Sequence, residues 1–133
     1  MKKGKILKII SLTSYSIIIL MGEMIGLPFL FWLILTSFEF GNSDQIFAVF
    51  GLIGFIMMFT NLYKQRIFRI MIFVLMITPI VRRLTEVPFE KFNYLAFQIP
   101  LTIFIITSLI LILKTMKEEK TGYNNGYKQL GRK

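Results

Sequence analysis

From Ile9 to Leu35 the chain runs for twenty-seven residues with one charge, Glu23, near the middle. As a continuous helix rising about 1.5 Å per residue, the run reaches about 40 Å, more than the roughly 30 Å hydrocarbon core of a bilayer. Tilt or a kink absorbs the excess. Pro28 is the expected kink, because it offers no N–H to the carbonyl of Met24 and its ring crowds that turn. Trp32 lies past it, near the expected far interface. Lys2, Lys3, Lys5 and Lys8 ahead of the run also resemble the start of a secretory signal, but an apolar signal core is about 7 to 15 residues long and ends at small residues. Here the run continues and no such site follows, so an uncleaved first span is expected.

Composition agrees with a lipid environment. With 55% hydrophobic residues, 15% aromatics and 17% charge in 133 residues, the chain holds more apolar surface than a globule of this size can hide, since such a chain buries roughly two-thirds of its surface. The net charge of +9 collects between apolar runs instead of interleaving with aromatics, which points to membrane orientation and away from nucleic acid. Without Cys or His, disulfides, thiolate and imidazole metal sites and His-based acid/base chemistry are excluded. No metal or cofactor is expected.

Three further apolar stretches follow. The segment from Glu39 to Asp44 is short, acidic and rich in turn formers, and Asn42 with Gln45 has the spacing of a capping box. The second span is expected over 46–62, with Ala48, Gly51 and Gly54 recurring every three residues where a neighbouring helix can approach. Lys64, Arg66 and Arg69 make a short basic connection that forces the next helix to lie alongside, antiparallel. The third span, over 67–84, has only twelve uncharged residues between Ile70 and Val81 and spans if the flanking arginines snorkel outward. A balanced loop follows, in which Arg82 and Glu86 stand four apart. The fourth span is expected over 94–113. The tail, 114–133, is basic and expected to be partly disordered, helical until Gly122 with a turn at Asn124–Gly126. Residues 1–8 form a basic N-terminus.

The expected fold is thus an all-α membrane protein with four transmembrane helices in an antiparallel bundle. Thirteen Lys and Arg fall on the side of the termini and three on the other, so the positive-inside rule places both termini in the cytoplasm.

Within this frame Glu23 lies fifteen residues from Lys8 and sixteen from Glu39, close to the bilayer midplane if the helix is continuous. Fifteen Ile, Leu and Phe in the run, at about −0.3 to −0.6 kcal/mol each, outweigh an insertion penalty of roughly 3 kcal/mol. Gly22 and Gly26 flank it and permit close helix approach, and Ser16 shares nearly the same face. Pro28, Pro79 and Pro100 all fall in the outer halves of their spans and free the carbonyls of Met24, Leu75 and Ala96. The expected intramembrane polar site is Glu23 with Ser16, Gln98 and Arg82 as candidate company. Glu23 serves there either as a protonated packing device or as a titrating proton site.

The local form Gly22-Glu23-Met24-Ile25-Gly26 resembles the small multidrug resistance transporters. In that family a first-helix glutamate with a glycine three residues on binds proton and cationic drug in turn. The likeness covers these few residues, and the Gly-rich third helix of that family has no counterpart from Ile67 to Leu84.

Ser and Thr have no His or Lys base in plausible reach and the acids lack metal-ligand spacing, so no enzyme is expected. The expected role is a non-enzymatic subunit or interaction partner in a membrane assembly, as a homo-oligomer or with a partner membrane subunit. The basic loops and tail would face anionic lipid. The competing expectation is a small proton-coupled transporter centred on Glu23.

Overall fold

A computed structural model describes residues 3–21 and 26–131 of the chain. The protein is mostly helical. Helix α1 (Lys3–Ile17) leads into a two-stranded antiparallel ladder of β1 (Ile19–Met21) and β2 (Gly26–Pro28), followed by α2 (Phe29–Ser37), α3 (Asp44–Met57), α4 (Arg66–Glu86) and α5 (Leu95–Leu130). Single 3-10 turns, Asn61–Lys64 and Phe89–Phe92, join α3 to α4 and α4 to α5.

The first apolar run is therefore not one kinked helix. Helix α1 stops at Ile17, the ladder pairs Ile19 with Pro28, Leu20 with Leu27 and Met21 with Gly26, and a second, shorter helix resumes. The run Ile17-Ile18-Ile19-Leu20 explains the break locally: three β-branched side chains in succession favour extended backbone, and glycine and proline follow. Pro28 is the residue that precedes α2, with φ −57° and ψ 137°, and is no mid-helix kink. Gly26 packs within the ladder, where a Cβ would stand 3.0 Å from Ile19 Cγ2. Two further bonds hold the end of the ladder nearest the helices. Phe29 N–H donates to the Ile18 carbonyl at 2.6 Å, and the Tyr94 hydroxyl donates to the Ile19 carbonyl at 2.6 Å.

Pro79 and Pro100, by contrast, sit inside α4 and α5. At the start of α3, Asn42 Oδ1 accepts from Asp44 N–H at 3.0 Å, and the Gln45 side chain donates to the Ser37 carbonyl. These bonds replace the expected capping box. Gly41, at φ 94°, makes the turn that lets the chain reverse there. Helix α5 continues to Leu130, through the expected turn at Asn124–Gly126. A helix already nucleated by packing extends without a new nucleation cost, which leaves an intrinsic penalty of about 1 kcal/mol at each of Gly122 and Gly126.

The core lies where all five helices meet. Tyr15, Phe29, Leu33, Ala48, Ile72, Met76 and Phe104 are all 1% exposed or less. Helix α3 packs on α4 through Gly51 and Gly54. A Cβ on Gly51 would stand 2.8 Å from Pro79 Cγ, and one on Gly54 would stand 2.9 Å from Met76 Cγ.

The outward faces of α3 and α5 are largely apolar, unlike those of a water-soluble helix. Helix α5 buries Thr107, Ser108 and Thr115 but exposes Leu95, Ile99, Ile103, Ile106, Ile110 and Leu113. Helix α3 buries Ala48, Gly51 and Gly54 and exposes Ile46, Phe50, Ile53 and Ile56. Among the described residues one helix, Leu95–Thr115, is long and apolar enough to cross a membrane by itself.

Candidate functional site

Four helices converge on Tyr15 of α1. Its ring meets Phe29 of α2 at 5.1 Å edge-on, Phe55 of α3 at 6.3 Å and Phe104 of α5 at 4.9 Å between centroids. Its hydroxyl donates to the Met76 carbonyl of α4 at 2.9 Å. One side chain of α1 thus touches every other helix. The bond to Met76 has a cause in α4 itself. Pro79 has no N–H for the carbonyl four residues earlier, and its ring pushes the carbonyls of the preceding turn away from the helix axis. Met76 lies three residues before it, and the Tyr15 hydroxyl supplies a donor there. Gly51 makes the approach possible, since a Cβ at that position would stand 3.0 Å from the Tyr15 hydroxyl oxygen.

One turn earlier on α1, Ser11 Oγ and Ser108 Oγ of α5 are hydrogen-bonded at 3.0 Å, both buried. Nearby is a small cavity of about 10 Å³ lined by Met58, Tyr63, Arg69, Ile72, Met76 and Ser108, room for about one water. No buried side-chain nitrogen or oxygen among the described residues is left without a partner.

Each end of the bundle carries a distinct charge pattern. At one end Asp44, 6% exposed, receives Arg82 Nε at 3.3 Å and Arg83 Nη1 at 3.8 Å. Arg82 also pairs with Glu86 one helical turn on, and the Arg82 and Arg83 guanidinium groups lie over the rings of Phe47 and Trp32 at 5.5 and 5.0 Å. This balanced network staples the loop between α2 and α3 to the end of α4. At the opposite end Arg69 donates to the Tyr63 carbonyl at 2.7 Å and to the Leu111 carbonyl at 2.8 Å. Its Cζ lies 4.7 Å from the Tyr63 ring centroid, with Lys8 Nζ 5.0 Å from the same ring. Arg69 therefore turns toward its neighbours and does not extend away from the bundle. Burial pushes the Tyr63 phenol up to about 12, only partly offset by Arg69, and burial followed by the Arg69 charge lowers the Lys8 ammonium.

Of the residues singled out for an intramembrane site, Ser16, Gln98 and Arg82 each bond to groups other than one another. Ser16 Oγ donates to the Leu12 carbonyl of its own helix, Gln98 Nε2 donates to Asn93 Oδ1, and Arg82 is held by Asp44, Ser43 and Glu86. Glu23, Gly22 and the Met24 carbonyl lie outside the described residues. The premise that put Glu23 at mid-depth, an unbroken helix from Ile9 to Leu35, does not hold, because the chain reverses direction between β1 and β2. Sequence reasoning missed Tyr15. The available signal was Pro79, which calls for a donor from another helix, but nothing in the order of residues says which helix supplies it.

No group of three or more metal-ligating side chains occurs among the described residues. By its fold the molecule is a small helical bundle with an aromatic and aliphatic core, a few buried hydroxyls, and many apolar side chains on its outer surface. Comparisons with protein-family models, with characterised proteins and with solved structures give no match.

Proposed function

We propose that this chain is a small polytopic protein of the cytoplasmic (inner) membrane, acting as a non-enzymatic subunit or interaction partner in a membrane assembly, with further copies of itself or with another membrane subunit. The four crossings are α1 from Ile9 onward with the ladder and α2 as a composite first span, then α3, α4 and the first twenty-one residues of α5. The observation that carries the reading is the apolar outward face of the helices. Helix α5 presents Leu95, Ile99, Ile103, Ile106, Ile110 and Leu113 outward while Thr107, Ser108 and Thr115 are buried, a distribution that lipid favours and water opposes. The positive end, with Lys8, Lys64, Arg66, Arg69 and Lys114, faces the cytoplasm and its anionic lipid.

An interaction role is favoured over transport by the packed interior. The small cavity described above holds about one water, and two larger hollows among the described residues, about 490 and 290 Å³, are open grooves on α4 and between α3 and α4. Extraction of membranes with alkaline carbonate, followed by cross-linking in native membranes, tests the reading. Retention in the pellet with discrete cross-linked species is expected, whereas release into the supernatant contradicts it. Proton-dependent solute movement in proteoliposomes that is abolished by Glu23→Gln would replace the interaction role with transport.

A further inference from the structure

Three cations from three different helices lie at the positive end, and no ion pair with a carboxylate holds them among the described residues. Lys8 of α1 lies 5.0 Å from the Tyr63 ring and 5.6 Å from the Phe59 ring, and Arg69 of α4 lies 4.7 Å from the Tyr63 ring. Lys114 of α5 reaches back to α1, where its Nζ stands 3.9 Å from the position a Cβ on Gly4 would take, one turn before Lys8. Arg69 bonds the carbonyl of Leu111, which is one turn before Lys114 on α5. All the ion pairs among the described residues are at the opposite end, on Asp44 and Glu86.

Two of the five guanidinium N–H groups of Arg69 go to the Tyr63 and Leu111 carbonyls. The remaining three have no partner among the described residues. Arg69 is thus fixed in position with donors to spare, and Lys8 stands beside it in a half-buried setting that disfavours its charge. An anion placed between them would satisfy those donors and offset the repulsion.

We propose that Lys8 and Arg69, which share the Tyr63 ring, and Lys114, which reaches the turn of α1 before Lys8, form a phosphate-binding site whose occupant is the headgroup of an anionic phospholipid. The proposal rests on the membrane reading given above. The lipid source follows from the adjoining surface: the neighbouring turns of α1 and α5 expose Ile6, Ile10, Ile110 and Leu113, which acyl chains cover and inorganic phosphate does not.

The test uses the full chain in a neutral detergent and reads the thermal midpoint on addition of phosphatidylglycerol, phosphatidylcholine or inorganic phosphate. Arg69 is left in place because it also ties α4 to α5. Phosphatidylglycerol is expected to raise the midpoint of the wild type, with little effect from phosphatidylcholine or inorganic phosphate. Lys8→Gln with Lys114→Gln is expected to remove at least half of that rise, Lys8→Arg with Lys114→Arg to restore it, and Lys64→Gln with Lys117→Gln to leave it unchanged. An undiminished rise in the Lys8→Gln, Lys114→Gln protein overturns the site, as does an equal loss in the Lys64→Gln, Lys117→Gln control. An equal response to inorganic phosphate overturns the lipid assignment. A protein that stays with carbonate-washed membranes yet shows no phosphatidylglycerol effect refutes this site alone, whereas one released by carbonate refutes the membrane reading beneath it.

Discussion

Replacing Tyr15 by Phe removes one oxygen from the centre of the bundle and leaves every ring contact available. The hydroxyl lies 2.9 Å from the Met76 carbonyl and the residue is 0% exposed, so no water replaces the lost donor. A buried acceptor stripped of its partner costs about 1–3 kcal/mol, and interhelical hydrogen bonds in membranes fall toward the lower part of that range, about 0.6–1.7 kcal/mol. Tyr15→Phe is therefore expected to destabilise by about 1 kcal/mol, measured as the shift in reversible unfolding by SDS in mixed micelles. The causal role assigned to Pro79 makes a sharper claim. Pro79→Ala restores an N–H for the Leu75 carbonyl and removes the ring that displaces the neighbouring Met76 carbonyl, so the cost of Tyr15→Phe should shrink by at least half in the Pro79→Ala background. Strict additivity of the two substitutions would refute the reasoning that the tyrosine answers the proline.

Other consequences can be checked in the same assay. Gly51→Ala drives a methyl to 2.8 Å from Pro79 Cγ and 3.0 Å from both Leu33 Cδ2 and the Tyr15 hydroxyl, and is expected to destabilise by about 1–3 kcal/mol. Gly4→Ala, whose nearest neighbour is the Lys114 Nζ at 3.9 Å, is expected to be neutral or to stabilise by up to about 1 kcal/mol through helix propensity. Asp44→Asn weakens the staple between the loop before α3 and the end of α4 and is expected to cost about 1–2 kcal/mol, less in high salt because Arg82 and Arg83 are partly exposed. The Tyr63 phenol is harder to ionise in the folded protein, so folding stability is full below pH 10 and falls as pH rises from 10 to about 12. A near-ultraviolet tyrosinate titration of wild type against Tyr63→Phe should locate the missing transition near 12, and a difference centred near 10 would contradict the burial of that ring.

The helical character of α3, α4 and α5 was legible from the apolar runs, because twelve or more uncharged residues between basic or turn-forming connectors leave few other solutions. The first run was not legible in the same way. With Glu23 its only charge, it offers no polar face, and without a polar face periodicity cannot separate helix from strand. The signal that counted was local, three successive isoleucines from Ile17 followed by Gly22, Gly26 and Pro28. It was outweighed by the expectation that a long apolar run forms one helix. The end of α5 went the other way, since turn-forming residues were read as a stop and the helix continued through them.

The candidate site was less legible than the fold, because its residues are joined by tertiary geometry. Arg82 and Glu86 do pair, as their spacing allows, but Arg82 also reaches Asp44, thirty-eight residues away. Tyr15 and Met76 are sixty-one residues apart, and Ser11 and Ser108 ninety-seven. No periodicity encodes such pairs. Small residues on one helix and a proline on another indicated that α3 and α4 had room to approach, and the partner of that gap came from α1.

The account depends most on the chain crossing the membrane with its positive end in the cytoplasm. Because the sequence contains no cysteine, single cysteines report position without background. Phe40→Cys, in the loop before α3, should react with a membrane-impermeant maleimide in intact cells or spheroplasts, while Lys64→Cys and Lys117→Cys should react only after permeabilisation. Labelling of all three from the same side, or of none until the protein is released from the membrane by carbonate, would contradict the account.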